Sequence, residues 1–317
     1  MTRYLLQLML TRGIGEKAIK KILAYAGHTG KSIQSICEDV EVLVQLLGRR
    51  AGIHEMWENL NANESSAVEM TRRLEAAGVA VITENDTAYP QRLKASLRDD
   101  CPPVLFIKGN ARLLSEPAVG FCGSRKVSQK GELITEQCAE QLADRGITVV
   151  SGYASGTDLA AHSASIKHGG CTVFVLAEGI LNTRIKQPVR PWLTEENHVF
   201  VSQFFPTAQW NVGSAMKRNG LIIGLSDAMI LVESGKTGGT FAAGQETLQR
   251  GKPLFVIDYD KPEVSAEANP YFIERGGNPI RKTNGVPNLK RVFSSIDSSS
   301  NRSMPEQIGM EQFVCLS

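Results

Sequence analysis

Three stretches of the chain combine small residues with cations in a way suited to holding phosphate. They are Gly123–Ser128 (G-S-R-K-V-S), Ser151–Asp158 (S-G-Y-A-S-G-T-D) and Ser234–Thr240 (S-G-K-T-G-G-T). Each follows a short apolar run and precedes an amphipathic one, so each reads as a strand-to-helix turn. Glycine lets backbone approach a ligand closely, and the amides that open a helix carry unsatisfied N–H groups and partial positive charge. Arg125, Lys126, Lys130 and Lys236 add formal charge, and Met216–Gly220 (M-K-R-N-G) places two further cations near a helix start. One glycine turn is ordinary connection chemistry; three, with cations among them, make an anion groove the stronger reading. The candidate phosphate-binding residues are Gly123, Ser124, Arg125, Lys126, Ser128, Ser151, Gly152, Tyr153, Gly156, Lys217, Arg218, Asn219, Lys236, Gly238, Gly239 and Thr240. Tyr153 carries a ring that would either stack on a base or pack inside.

The chemistry these stretches lack is as informative. None contains G-x-G-x-x-G. Gly235–Thr237 resembles the end of a P-loop, but Ile230 stands where that loop needs its upstream glycine. Ser155 lies one place too late for a G-x-S-x-G nucleophile elbow. Asp158 reads as a helix cap and His162 as a packed or locally bonded group; His162 and His168, six apart, face different ways on a helix. The six cysteines include no C-x-x-C pair. No catalytic residue, metal site or cofactor is expected, which favours binding over catalysis.

These turns belong to a chain of 317 residues, long enough for two domains. Its net charge of +2 means that any nucleic-acid footprint must be local. No apolar run approaches bilayer length and no targeting signature opens the chain. With scattered, core-like cysteines, a cytoplasmic location and no membrane partner are expected.

Residues 1–84 show helical spacing and are expected to form a small all-helical domain, SAM-like or helix-hairpin-helix-like, around the turn Thr11–Lys17 (T-R-G-I-G-E-K). The proline-punctuated stretch Ala88–Pro103 marks a boundary. Beyond it, apolar strands at Val104–Lys108, Ala118–Cys122, Thr148–Val150, Thr172–Leu176, His198–Ser202, Ala228–Val232 and Pro253–Ile257 alternate with helical patterns at Lys130–Arg145, Leu159–His168, Ser214–Leu225 and Phe241–Arg250. This predicts an α/β fold over residues 85–285: an extended, Rossmann-like, doubly wound, mostly parallel sheet. The serine-rich segment 286–317 is expected to be a loosely ordered tail.

The runs Y-P-Q-R-L…P-P-V-L-F-I-K-G-N, V-G-F-C-G-S-R-K-V-S, V-V-S-G-Y-A-S-G-T-D-L-A-A-H and G-G-C-T-V-F-V-L-A-E-G, from Tyr89 to Gly179, resemble the DprA/Smf DNA-processing family. The resemblance implies a protein that binds single-stranded DNA, forms a homodimer, loads a RecA-type recombinase and catalyses no reaction. It places Arg125 and the Ser151–Gly152 turn in a DNA-phosphate pocket, and matches Arg218–Asn219 to part of an R-N-R block. Departures are Gly220 in place of that block's second arginine, Ala215–Met216 in place of its F-P, and Thr237–Thr240 in place of S-G-S-L. The last is closer to the glycine turn of the LOG, or lysine-decarboxylase-like, phosphoribohydrolases, with Glu246 following. A nucleotide hydrolase of that kind, or a nucleotide-binding sensor, in a toxin–antitoxin or phage-defence setting, are the alternative readings.

Overall fold

A computed structural model describes residues 1–48 and 52–302. The N-terminal part is helical: α1 (Thr2–Leu10), α2 (Glu16–Thr29), α3 (Ile33–Cys37), α4 (Val40–Leu47), α5 (Ile53–Ala62) and α6 (Glu64–Ala76). Local sequence sets the boundaries. The Asp39 carboxylate accepts from the amides of Glu41 and Val42 and opens α4; Gly30, left-handed at φ 70°, closes α2. The apolar faces of these helices bury Leu5, Leu6, Leu8, Ile22, Leu23 and Leu43 together.

The α/β part follows as β1 (Ala80–Thr83), α7 (Gln91–Leu97), β2 (Val104–Gly109), β3 (Ala118–Cys122), α8 (Gln129–Ala143), β4 (Thr148–Ser151), α9 (Thr157–Lys167), β5 (Thr172–Val175), β6 (His198–Ser202), α10 (Val212–Leu225), β7 (Ala228–Leu231), α11 (Gly239–Gln249), β8 (Leu254–Ile257), α12 (Asn269–Glu274), β9 (Asn278–Ile280), the hairpin β10 (Lys282–Thr283) and β11 (Val286–Pro287), and α13 (Lys290–Arg302). One nine-stranded sheet runs β1-β2-β6-β5-β4-β3-β7-β8-β9. From β6 to β9 every pairing is parallel; β2 lies antiparallel to β6, and β1 antiparallel to β2. The apolar strands are buried on both faces. Against one face pack Ile134, Cys138 and Leu142 of α8, the stripe expected from the sequence, with Ala161 and Ala164 of α9. Against the other pack Leu93 and Leu97 of α7, Leu221 and Ile222 of α10 and Ala243 of α11. A third cluster runs from the N-terminal helices to Phe106, Phe174 and Phe200, and the Asn85 amide donates to the Leu23 carbonyl at 2.7 Å. The helical part is thus anchored to the sheet.

Two expectations need correction. The helical region does not reach residue 84, because Ala80–Thr83 forms an edge strand whose register pairs Ala80 with Ile107 and Thr83 with Val104. Four residues are too few to display a period, and the partner strand supplies the order. Nor is residue 286 onward a loose tail throughout: Lys290–Arg302 is helical, and Leu289, Val292 and Ile296 bury one stripe against the α8 face. Serines between those apolar positions hid the spacing. Residues 303–317 of that expected tail lie outside the described residues. Among the described residues no helix is long and apolar enough to cross a membrane.

Ile296→Ala is expected to lower the unfolding free energy in urea by about 2–4 kcal/mol, the range for a buried aliphatic truncation. A loss below about 0.5 kcal/mol, typical of a surface position, would return α13 to a peripheral tail.

Candidate functional site

Strand β3 stands first in sequence among the central strands; β4, β5 and β6 extend to one side of it and β7, β8 and β9 to the other. The crevice between the carboxyl ends of β3 and β7 is therefore the topological switch point, where open α/β sheets bind ligands. The three glycine turns meet there. Thr157 donates from its amide (3.2 Å) and its hydroxyl (3.3 Å) to the Ser124 carbonyl, tying the second turn to the first. The Thr240 hydroxyl donates to the Gly123 carbonyl at 2.9 Å, tying the third turn to the first. The Asn219 amide donates to the Gly239 carbonyl at 3.2 Å and brings α10 into the same rim. Contact requires glycine at several rim positions, Gly123 and Gly152 among them. A Cβ on Gly123 would lie 2.3 Å from the Thr157 hydroxyl oxygen, and one on Gly152 would lie 1.2 Å from Nη1 of Arg218.

Arg218 is the unusual group. It projects from α10 under the second turn and is only 6 % exposed. Nη1 donates to the Val175 carbonyl at 3.3 Å and lies 3.9 Å from the Asp158 carboxylate, while Nε has no partner. Burial pulls its pKa down; Asp158 opposes that pull and Arg125 adds to it. The sequence reading of Asp158 as the cap of α9 is corrected: Gly156 holds the cap position. The Asp158 carboxylate accepts from the Ser151 hydroxyl at 2.9 Å and the Ala154 amide at 3.2 Å. Among the described residues Arg218 is left with no carboxylate nearer than 3.9 Å.

Two clefts flank this arginine. The first, about 500 Å³, has Gly123, Ser124, Arg125, Asn219, Gly239 and Thr240 on its polar side and Trp210, Val212, Ala215 and Met216 on its apolar side. The second, about 400 Å³, is lined by Gly152, Tyr153, Asn182, Arg184 and Lys186. Arg125, Ala154, Trp210 and Arg218 form the wall they share. The Arg125 guanidinium lies 5.4 Å over the Trp210 ring, which is 46 % exposed. Among the described residues two carboxylates reach the first cleft, and both are engaged. Asp158 is bonded as above; Glu233, 1 % exposed, accepts from the Ser128 amide at 3.0 Å and from its hydroxyl.

Of the residues proposed from sequence, Gly123, Ser124, Arg125, Gly152, Tyr153, Arg218, Asn219, Gly239 and Thr240 line one cleft or the other. The rest do not. Ser128 caps α8 and bonds Glu233, and Ser151 is fully buried, donating to Asp158. Gly156 lies against the Ser124 carbonyl, which a Cβ there would approach to 2.4 Å. Lys217 points away to an ion pair with Glu16 at the start of α2, and Lys236 pairs with Glu267 at 3.2 Å. Lys126 and Gly238 are exposed on the turns and line neither cleft. The Tyr153 ring is 9 % exposed and packs 4.8 Å from Phe174 and 5.7 Å from Phe200, so it is a core ring rather than a stacking surface. Its hydroxyl accepts from the Lys186 amide at 2.6 Å and donates to the Arg184 carbonyl at 3.3 Å. Sequence reasoning missed Trp210, Arg184 and Lys186. Trp210 carried a signal, a lone aromatic in the polar run A-Q-W-N before a helix; the two cations sit in the long β5–β6 connection, beyond its glycine, Gly179. Glu246, the acid that followed the third turn, bonds Arg250 at 2.9 Å and lines other clefts. Among the described residues no cluster of three metal-ligating side chains exists.

His162 supports the second turn from beneath, with Nδ1 2.6 Å from the Thr172 hydroxyl. Burial, with Lys186 and Arg218 nearby, pushes its pKa from 6.5 down to about 3. The folded state resists protonation that the unfolded chain accepts. This contribution to stability is therefore complete above pH 6.5 and is lost as pH falls toward about 3. The slope for one such group is about 1.4 kcal/mol per pH unit. His162→Gln is expected to flatten the pH dependence of urea unfolding between about pH 6.5 and pH 4 by that amount; an unchanged slope would show that the ring is hydrated.

Residues 80–289 match the family described as DNA recombination-mediator protein A. The DNA processing protein DprA of Bacillus subtilis is 29 % identical over 207 residues, which cover 64 % of this chain and 68 % of that protein. DprA of Streptococcus pneumoniae is 30 % identical over 197 residues, covering 62 % and 68 %. Protein Smf of Escherichia coli is 29 % identical over 208 residues, covering 64 % of this chain but 54 % of its own length. The X-ray structure of S. pneumoniae DprA shares the fold with a TM-score of 0.75 and 23 % identity, over 88 % of this chain and 95 % of that one. A Helicobacter pylori DprA structure, described for its single-stranded DNA binding mode, gives 0.56 and 20 % over 71 % and 96 %. Built on the switch point of a nine-stranded sheet and carrying the G-S-R and S-G-Y-A-S-G-T-D turns, the chain belongs to the DNA recombination-mediator protein A (DprA/Smf) family.

Proposed function

We propose that the rim formed by the three turns binds single-stranded DNA through its phosphates, and that the protein presents the bound strand to a RecA-type recombinase as a homodimer. The observation that carries the binding reading is Arg218: a buried guanidinium with a free Nε, one carboxylate no nearer than 3.9 Å, and clefts on both sides. Withholding water from an under-paired cation costs free energy that a phosphate oxygen would recover through a charge-assisted hydrogen bond. Arg125 and the amides of the first turn stand on the same rim to share that charge.

The apolar side of the first cleft gives the bases a place. A strand with its phosphates along Gly123–Arg125 and Arg218 would turn bases toward Trp210, Val212 and Met216. Stacking on an exposed ring tolerates every base, which suits a protein that handles strands of any sequence. The recombinase and the homodimer rest on family membership and on the name of the family, a recombination mediator. Nothing at the rim favours hydrolysis. The hydroxyl of Ser151 is tied to a carboxylate and a carbonyl, His162 is buried on Thr172, and Glu246 faces away.

With fluorescent oligothymidylate, binding should weaken steeply with salt as counterions compete, by about 0.7 in log K per log salt for each phosphate held. Arg125→Ala should cost about 1–3 kcal/mol of binding free energy, and Trp210→Ala about 1–3 kcal/mol. Absence of binding at low salt, or full affinity in both variants, would overturn the reading.

A further inference from the structure

Three cations of the helical part stand apart from the rim. Arg12, Lys17 and Lys21 line a cleft of about 460 Å³ between the α1–α2 turn, α2, α4 and α5. Among the described residues none of the three has an ion-pair or hydrogen-bond partner. Glu55 lines the same cleft without pairing to them, so the balance there is positive. Gly13, at φ 90°, leaves the turn open, with nothing within 4 Å of where a Cβ would stand, and Met56 contributes an apolar wall. Cations beside an apolar wall repeat, on a different element, the composition of the rim cleft.

The two places are connected. Lys17 also lines a cleft of about 290 Å³ at the junction of the helical and α/β parts, whose other side carries Met216; Met216 in turn lines the first rim cleft. The junction is balanced in charge. Lys17, Lys20, Lys217 and Arg250 face Glu16, Asp99, Asp100 and Glu246, and Lys217–Glu16, Arg250–Asp100 and Arg250–Glu246 are paired. A polyanion crossing it meets neither a grip nor a barrier.

Resting on the single-stranded DNA reading above, we infer that the strand leaving the rim continues across this junction into the helical cleft, where Arg12, Lys17 and Lys21 neutralise its phosphates. The helical part is then a second contact on the same strand, engaged only by a strand long enough to reach it. Each phosphate neutralised on a single strand contributes about 0.7 to the salt slope, so three cations contribute about 2.

The test uses the full chain and two oligothymidylates, one of about 8 nucleotides, which fits a single groove, and one of about 40, which would span both places. The variant R12E/K17E/K21E changes exposed side chains, and the milder K17Q/K21Q serves if the triple variant fails to fold. The expected result is a loss of about tenfold or more for the long strand, with a salt slope shallower by about 2, against less than about twofold for the short one. Equal affinity of variant and wild type for the long strand would overturn the inference, and so would equal losses on both lengths. If wild type binds neither strand, or Arg125→Ala leaves both unchanged, the rim reading itself fails, which is a separable result.

Discussion

A guanidinium held inside a protein without a close carboxylate is the interaction on which the site depends. The Arg218 guanidinium lies against Gly152, where any side chain would collide with it, and its Nε has no partner among the described residues. The Asp158 carboxylate is committed to Ser151 and Ala154 and stands at 3.9 Å. Most buried charges in proteins are paired, because desolvating an ion is expensive. A charge left under-paired between two clefts is poised for a ligand of opposite sign, and the sheet around it provides the rigidity that keeps it there.

That rigidity comes from the switch-point topology. The turns after β3, β4 and β7 are joined by hydrogen bonds from Thr157 and Thr240 into one rim, so none is a free loop. Arg218 is delivered by α10, whose other residues pack Leu221 and Ile222 into the core. Beneath the second turn, Tyr153, His162, Phe174 and Phe200 form an aromatic base. Preorganised donors on a fixed rim bind a flexible polyanion without the cost of ordering themselves.

Much of this was legible in the residues. The apolar runs marked the strands β2 to β8 because strands buried on both faces need continuous apolar sequence, and the glycine turns marked the rim because close approach demands them. Short edge elements were not legible. Ala80–Thr83 takes its order from β2, and the buried Val292 and Ile296 of α13 lie in a serine-rich run. The site was half legible. Spacing places Arg125 and Arg218 near the rim but cannot show that Lys217, one residue before Arg218, points to Glu16 or that Ser128 serves Glu233. Tyr153 drew notice as a ring within a glycine turn, yet its packing needs three distant strands, and the exposed ring proves to be Trp210.

The most direct measurement is a crystal structure of the protein with a bound oligothymidylate. The expected result is a phosphate oxygen within hydrogen-bond distance, about 3 Å, of the Arg218 guanidinium, with its neighbours on Arg125 and the first turn. A strand held only by outer lysines such as Lys126 and Lys236, with the Arg218 clefts unoccupied, would contradict the role assigned to that buried cation.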